Sequence, residues 1–118
     1  MVKDKNADKR YEYNLKISSN EQKTIELLRE QKQVNLELED FEQTMNRTFS
    51  EILEIEAELN RRNGQPNAFS ETEYKKRHLS QMISRHREQT TAEYQTASQA
   101  LKDSRETLQK ERDNLTWD

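Results

Sequence analysis

Apolar residues recur along the first half of the chain at alternating steps of three and four. The alternation runs from Leu27 to Leu59, and eight of its ten positions are apolar. These ten positions, the predicted seam, are Leu27, Gln31, Val34, Leu38, Phe41, Met45, Thr48, Ile52, Ile55 and Leu59. An alternation sustained over more than four heptads is typical of a helix that packs in a coiled coil.

The second half of the chain repeats the pattern with smaller side chains. Large residues occur every seven positions, and small residues take most of the companion positions. The large residues are Tyr94, Leu101, Leu108 and Leu115, and the small ones are Thr90, Ala97 and Ser104. This spacing predicts a second long helix, against which a partner backbone can approach closely.

The only glycine and the only proline of the chain, Gly64 and Pro66, separate the two patterns. Glycine takes the positive φ that terminates a helix, and proline cannot continue one. Ser70 and Glu73 then have the spacing of a capping box, and Phe69 is placed to close over it as a hydrophobic staple. The sequence therefore predicts a turn over residues 63–69 and a second helix over about 71–114.

The first helix is predicted over residues 19–62, because Ser18 and Glu21 form another capping-box pattern. Residues 1–18 are then a flexible N-terminal arm, and residues 19–118 form the folded domain. Matching the large residues of the two patterns places Leu27 opposite Leu108 and Val34 opposite Leu101. The predicted fold is all-α, an antiparallel two-helix coiled-coil hairpin.

Some apolar residues of the first helix lie beside the predicted seam, where a single neighbouring helix does not cover them all. They are Leu28, Leu36, Phe49 and Leu53. A stripe this wide is typical of a helix with more than one neighbour. We therefore expect a second chain to complete a four-helix bundle, with a homodimer in isolation. Trp117, near the end of the sequence, is a candidate anchor for the partner, because tryptophan is enriched among the residues that dominate interfaces.

The composition agrees with long helices, since 36% of the residues are charged and 30% are hydrophobic. Residues 21–60 carry eleven acidic and four basic side chains, which argues against nucleic-acid binding. No apolar run approaches the ~18 residues of a membrane span. The first residues lack the apolar core of a secretory signal peptide, so we expect cytoplasmic synthesis without Sec-type export.

Catalytic chemistry is not expected. The chain contains no cysteine and one glycine, which excludes thiolate sites and glycine-rich phosphate loops. Its two histidines, His78 and His86, are separated by about 12 Å along a helix, too far to ligate one ion. Acidic clusters on a continuous helix are ordinarily a solvated face. The sequence predicts no catalytic residue, no cofactor and no metal.

Two segments carry a resemblance to a known family. Before the turn, residues 46–54 read NRTFSEILE, and residues 108–118 read LQKERDNLTWD. Over about residues 20–118, the chain resembles the small α-helical partner proteins of LXG-domain toxins, which share the WXG-type hairpin of Gram-positive type VII secretion. It departs from WXG proteins at the turn, where Asn63-Gly64-Gln65 replaces W-x-G. It also lacks a Tyr-x-x-x-Asp/Glu signal after the second helix.

The resemblance implies a non-catalytic helical protein that acts as a targeting factor or chaperone for an LXG toxin. Its implied partner is the helical N-terminal domain of that toxin, alone or with a second small helical protein. The implied location is the cytoplasm, with co-export alongside the partner. Two other hypotheses remain open: a structural or regulatory homodimeric coiled coil, and a general adaptor or holdase.

Overall fold

The computed structural model of the chain describes residues 5–63 and 67–116, with residues 63 and 67–70 described by their backbone alone. Its elements are two α-helices, α1 (Ala7–Asn63) and α2 (Asn67–Asp113). Among the described residues there is no strand. The predicted all-α helical hairpin is confirmed. Gly64, Pro66 and Trp117 lie outside the described residues.

Both helices begin earlier than the sequence analysis placed them. α1 starts at Ala7 rather than near residue 19, so Ser18 and Glu21 lie in the helix interior instead of capping it. No glycine or proline interrupts residues 1–63, and Ala, Lys, Arg and Glu near the start all favour helix, so nothing stops α1 from extending. A capping-box spacing permits a helix start without requiring one.

α2 likewise begins at Asn67 rather than at residue 71, which places Ser70 inside the helix and not at its cap. Proline disfavours helical backbone at the residue before it and not at the residues after it, so helix is permitted directly beyond Pro66. Glu73, the other half of the predicted capping box, is exposed. The side chains of Phe69 and Ser70 are not among those described.

The chain divides into two compact units, each with one segment from either helix. The first unit is Met1–Gln31 with Ala92–Asp118, and the second is Lys32–Thr91. In the first unit the helices run antiparallel, since Asn14 contacts Arg112 and Asn20 contacts Leu101.

The second unit has the same antiparallel arrangement. Glu42 of α1 contacts Arg87 of α2, and Glu56, further along α1, contacts Thr72, earlier in α2. Each unit is thus a pair of helices that face each other along their length.

The apolar core is thin. Only Ile17, Met45 and Ile83 are buried apolar residues among those described, at 6%, 7% and 7% exposure. Buried and half-buried residues of α1 recur at steps of three and four, as predicted, and this periodicity confirms the coiled-coil character. These positions are 10, 13, 17, 20, 24, 27, 31, 34, 38, 42, 45, 49, 53, 56 and 60.

The predicted register is wrong. Leu101, expected opposite Val34, instead accepts a hydrogen bond on its backbone oxygen from Asn20 Nδ2 at 2.9 Å. The prediction matched leucines with leucines, but side chains in such helix pairs interdigitate, so leucine matching does not separate alignments that differ by whole turns. Polar side chains do separate them, because a buried polar group must reach a specific partner.

The register predicts where introduced cysteines will crosslink. Two contacts bracket Leu27: Thr24 contacts Arg105, and Glu30 lies beside Tyr94. Ala97, which lies between those two partners on α2, therefore falls opposite Leu27. We expect a Leu27→Cys/Ala97→Cys variant to oxidise readily to an intramolecular disulfide, seen as a mobility shift on non-reducing gels.

The matched control is Leu27→Cys/Leu108→Cys. Residue 108 is displaced from residue 97 by about 16 Å along the helix, well beyond the reach of a disulfide. Crosslinking of the control and not of the test pair would restore the leucine-matched register.

Candidate interaction surface

The inner face of α1 departs from the predicted seam after Leu38. Met45 stays on the inner face, but the half-buried positions around it are one residue later than predicted. Glu42, Glu56 and Asn60 thus enter the interface in place of apolar residues. Facing inward are Glu42, Phe49, Leu53, Glu56 and Asn60; the seam residues they replace, all exposed, are Phe41, Thr48, Ile52, Ile55 and Leu59.

This shift has a geometric cause. A straight α-helix drifts by about 20° per heptad relative to a strict seven-residue repeat, so a seam read at that repeat leaves the contact face after several heptads. Apolar residues occupy adjacent positions at Ile52-Leu53, so the pattern there fits either face. In the structure Leu53 is half-buried and Ile52 is exposed.

The residues predicted to bind a partner separate into two groups. Leu28 and Leu36 are exposed, at 55% and 51%. Phe49 and Leu53 are half-buried within the second unit, on the positions that face α2. Trp117, the fifth predicted residue, lies outside the described part of the chain. The three-four pattern alone therefore does not identify which apolar residues the hairpin leaves uncovered.

Polar contacts join the helices of the second unit. Arg87 Nη2 donates to Glu42 Oε2 at 2.6 Å, an ion pair of two half-buried side chains. The Thr72 hydroxyl donates to Glu56 Oε1. The other oxygen of that carboxylate, Oε2, is buried and has no hydrogen-bond partner among the described residues. An unpaired buried acceptor costs stability, so this contact is only half satisfied.

A polar layer also crosses the first unit. Asn20, 6% exposed, donates from Nδ2 to the Leu101 carbonyl and accepts on Oδ1 from Arg105 Nη1 at 3.4 Å. Arg105 also reaches the Thr24 hydroxyl at 3.4 Å. The signal was present in the sequence, because Ile17, Asn20 and Thr24 extend the three-four alternation upstream of Leu27.

Side chains near the start of α1 bind backbone oxygens beyond the end of α2. Asn6 Nδ2 donates to the Thr116 carbonyl at 2.6 Å, and Arg10 Nη2 donates to the same oxygen at 2.9 Å. Arg10 Nη1 reaches the Leu115 carbonyl at 3.3 Å. These contacts join the segment that follows α2 to the start of α1.

Two tyrosines of the first unit sit beside glutamates of the opposite helix. Partial burial, with Glu111 alongside, raises the pKa of Tyr13 above its ordinary value. Partial burial and Glu30 raise the pKa of Tyr94 in the same way. In each case ionisation of the phenol beside the carboxylate would place two negative charges together.

The described residues offer no assembled centre for chemistry. His78 stacks on Tyr74, with ring centroids 6.4 Å apart, and His86 is exposed. No group of three or more His, Asp or Glu side chains in the described chain is arranged to hold a metal ion. Neither helix, over its described residues, is long and apolar enough to cross a membrane.

The half-satisfied carboxylate of Glu56 yields a stability prediction. Glu56→Leu removes the unpaired buried oxygen and adds apolar surface, so the free energy of unfolding should rise by about 1 kcal/mol. Urea denaturation followed by circular dichroism measures it. Glu54→Leu, at an exposed position on the same helix, is the control and should change stability by less than about 0.5 kcal/mol. An equal gain in both variants would show that burial of Glu56 is not the cause.

The tyrosine pairs yield a pH prediction. A phenol whose pKa is raised on folding contributes stability below its unfolded-state pKa of about 10. That contribution is lost as the pH rises through the folded-state pKa. A Tyr13→Phe/Tyr94→Phe variant should therefore lose less stability than wild type between about pH 9 and 11. Thermal melts over that range measure the slope. Tyr11→Phe, which removes an exposed phenol, is the control. If the double variant and the control lose stability with pH at the same rate, the tyrosine–glutamate pairs do not have this role.

Comparison with known proteins adds no family to this geometry. No protein-family model, no curated protein and no solved structure matches the chain. The function is therefore inferred from the residues and contacts of the hairpin itself.

Proposed function

We propose that this chain is a non-catalytic helical binding protein that serves as a targeting factor or chaperone for an LXG-type toxin in type VII secretion. Its partner would be the helical N-terminal domain of that toxin, alone or with a second small helical protein. The chain would bind the toxin in the cytoplasm and be exported with it. The likeness of residues 46–54 and 108–118 to the small partners of LXG toxins supports this proposal.

The observation that carries the proposal is the number of large apolar side chains left exposed along both helices. Those at least half exposed are Tyr11, Leu15, Leu28, Leu36, Phe41, Ile55, Tyr74 and Met82. Where such side chains lie together they favour an interaction site, because apolar surface left in water forgoes about 25 cal/mol per Å². A helical partner with its own apolar face would cover it.

Leu28 and Leu36 remain the proposed partner contacts among the residues identified from the sequence. Both project from α1 with about half of their surface exposed. Trp117 stays a proposed anchor. Phe49 and Leu53 contribute indirectly, because their half-buried side chains face α2 and hold the two helices together.

Co-expression with the helical domain of an LXG toxin tests the function. We expect the tagged chain to co-purify with that domain as one defined complex by size-exclusion chromatography with light scattering. Leu28→Asp/Leu36→Asp should weaken the complex about tenfold, because each change places a charge where apolar surface is covered. Melting of the isolated variant should match wild type, since both positions are exposed.

Ser50→Asp, an added charge at another exposed position of α1, is the control and should leave the affinity unchanged. Recovery of the chain with itself alone would favour the structural homodimer instead. Binding to many unfolded proteins, without preference for the toxin domain, would favour a holdase.

A further inference from the structure

The shift of the inner face leaves an unpartnered row of apolar side chains on α1 within the second unit. Its members, the exposed stripe, are Phe41, Ile52, Ile55 and Leu59, which are 57%, 37%, 60% and 48% exposed. Ile52, Ile55 and Leu59 keep a three-four spacing, and Phe41 lies on the same side of the helix about three turns earlier. The last three form a continuous ridge beside the face that contacts α2, and between them and Phe41 lie buried Met45 and polar Thr48.

An acidic residue directly precedes each member of the exposed stripe. These residues are Asp40, Glu51, Glu54 and Glu58. Successive residues are about 100° apart around a helix, so the acids form a row on the solvent side of the ridge. Residues 37–58 contain eight acidic side chains and one basic one, Arg47. The ridge is therefore bordered on its solvent side by acidic side chains of α1.

Most of this acidic row has no ion-pair partner among the residues that the structure describes. Glu58 pairs with Arg61 and Arg62 at 3.9 and 3.3 Å, in exposed contacts of the same helix. In the described part of the chain, Asp40, Glu51 and Glu54 form no ion pair. Three carboxylates beside the exposed stripe are thus available to an incoming cation.

The acidic row limits which partner can cover the exposed stripe. A second copy laid stripe against stripe would bring two acidic rows together, and like charges across an interface oppose association. The chain's own α2 is more basic near Lys75–Arg77, but the large apolar side chains that it exposes in the second unit, among those described, are Tyr74 and Met82. These two do not match the four of the exposed stripe.

We infer that the exposed stripe is the docking site for an amphipathic helix of another protein, whose apolar face is bordered by lysine or arginine. This inference rests on the proposed binding function and specifies the partner's chemistry. About half of each stripe side chain is uncovered, so the ridge supplies on the order of 400 Å² of apolar surface. A standard interface takes about 800 Å² from each partner, and the charged border provides the remainder.

Two synthetic helical peptides of about four heptads test the inference. They share one isoleucine–leucine face, bordered by lysine in one peptide and by glutamate in the other. Fluorescence anisotropy with the full chain should show the lysine peptide binding at least about tenfold more tightly in low salt. Ile55→Ser should lower its affinity about tenfold, because a central apolar contact is lost.

Two further variants make the test specific. Ile25→Ser removes an isoleucine of similar exposure, 45%, away from the exposed stripe, and should leave the affinity unchanged. Asp40→Lys/Glu51→Lys/Glu54→Lys should reverse the preference toward the glutamate peptide. Circular dichroism melts identify any variant that fails to fold, in which case the two peptides compared on the wild-type chain decide the outcome.

Equal affinity for both peptides, no binding of either, or equal loss in the Ile25 and Ile55 variants would overturn the inference. A dimer in sedimentation velocity that Ile55→Ser dissociates would overturn it as well, because a second copy would then cover the stripe. Failure here is separable from failure of the proposed function. If the chain captures a toxin domain but does not prefer the lysine peptide, only the inference is overturned. If it prefers the lysine peptide but captures no toxin domain, only the proposed function is overturned.

Discussion

Two helices without a third can bury only one narrow face of each, and this constraint shapes the whole hairpin. The buried apolar residues described are Ile17, Met45 and Ile83, and no described side chain is fully enclosed. Apolar contacts of this kind favour association in many alignments, because any leucine can take another's place. Alignment therefore depends on the few polar groups that the interface covers, such as Asn20, whose amide must find its partners to be buried at all.

The helical hairpin was readable from the sequence because its signals were strong and redundant. A long three-four alternation, an isolated Gly64 and Pro66, and helix-favouring residues elsewhere all indicate the same fold. Helix starts were less certain, since the capping-box spacings at Ser18 and Ser70 are equally compatible with a helix interior. Register was not readable, because it depends on contacts such as Arg87 with Glu42, between residues that are far apart in the chain.

The interaction surface was harder to predict than the fold for a related reason. Where apolar residues are adjacent, as at Ile52 and Leu53, either one fits the three-four pattern, and the accumulated helix rotation decides which turns inward. The structure turns Leu53 toward α2 and Ile52 outward. A rotation of one residue thus exchanges core and surface along the same stretch, which is why Phe49 was assigned to the partner and Ile55 to the hairpin.

The contacts from Asn6 and Arg10 to the carbonyls of residues 115 and 116 have a mechanical consequence. They tie together the ends of two antiparallel helices, so a pull that separates those ends loads these hydrogen bonds first. The Asn14–Arg112 contact comes under tension next, and the Asn20 layer after it. Bonds broken one at a time resist far less force than bonds sheared together. Within this unit, a pull on those two ends would open the helix pair from its tied end, one layer of contacts after another.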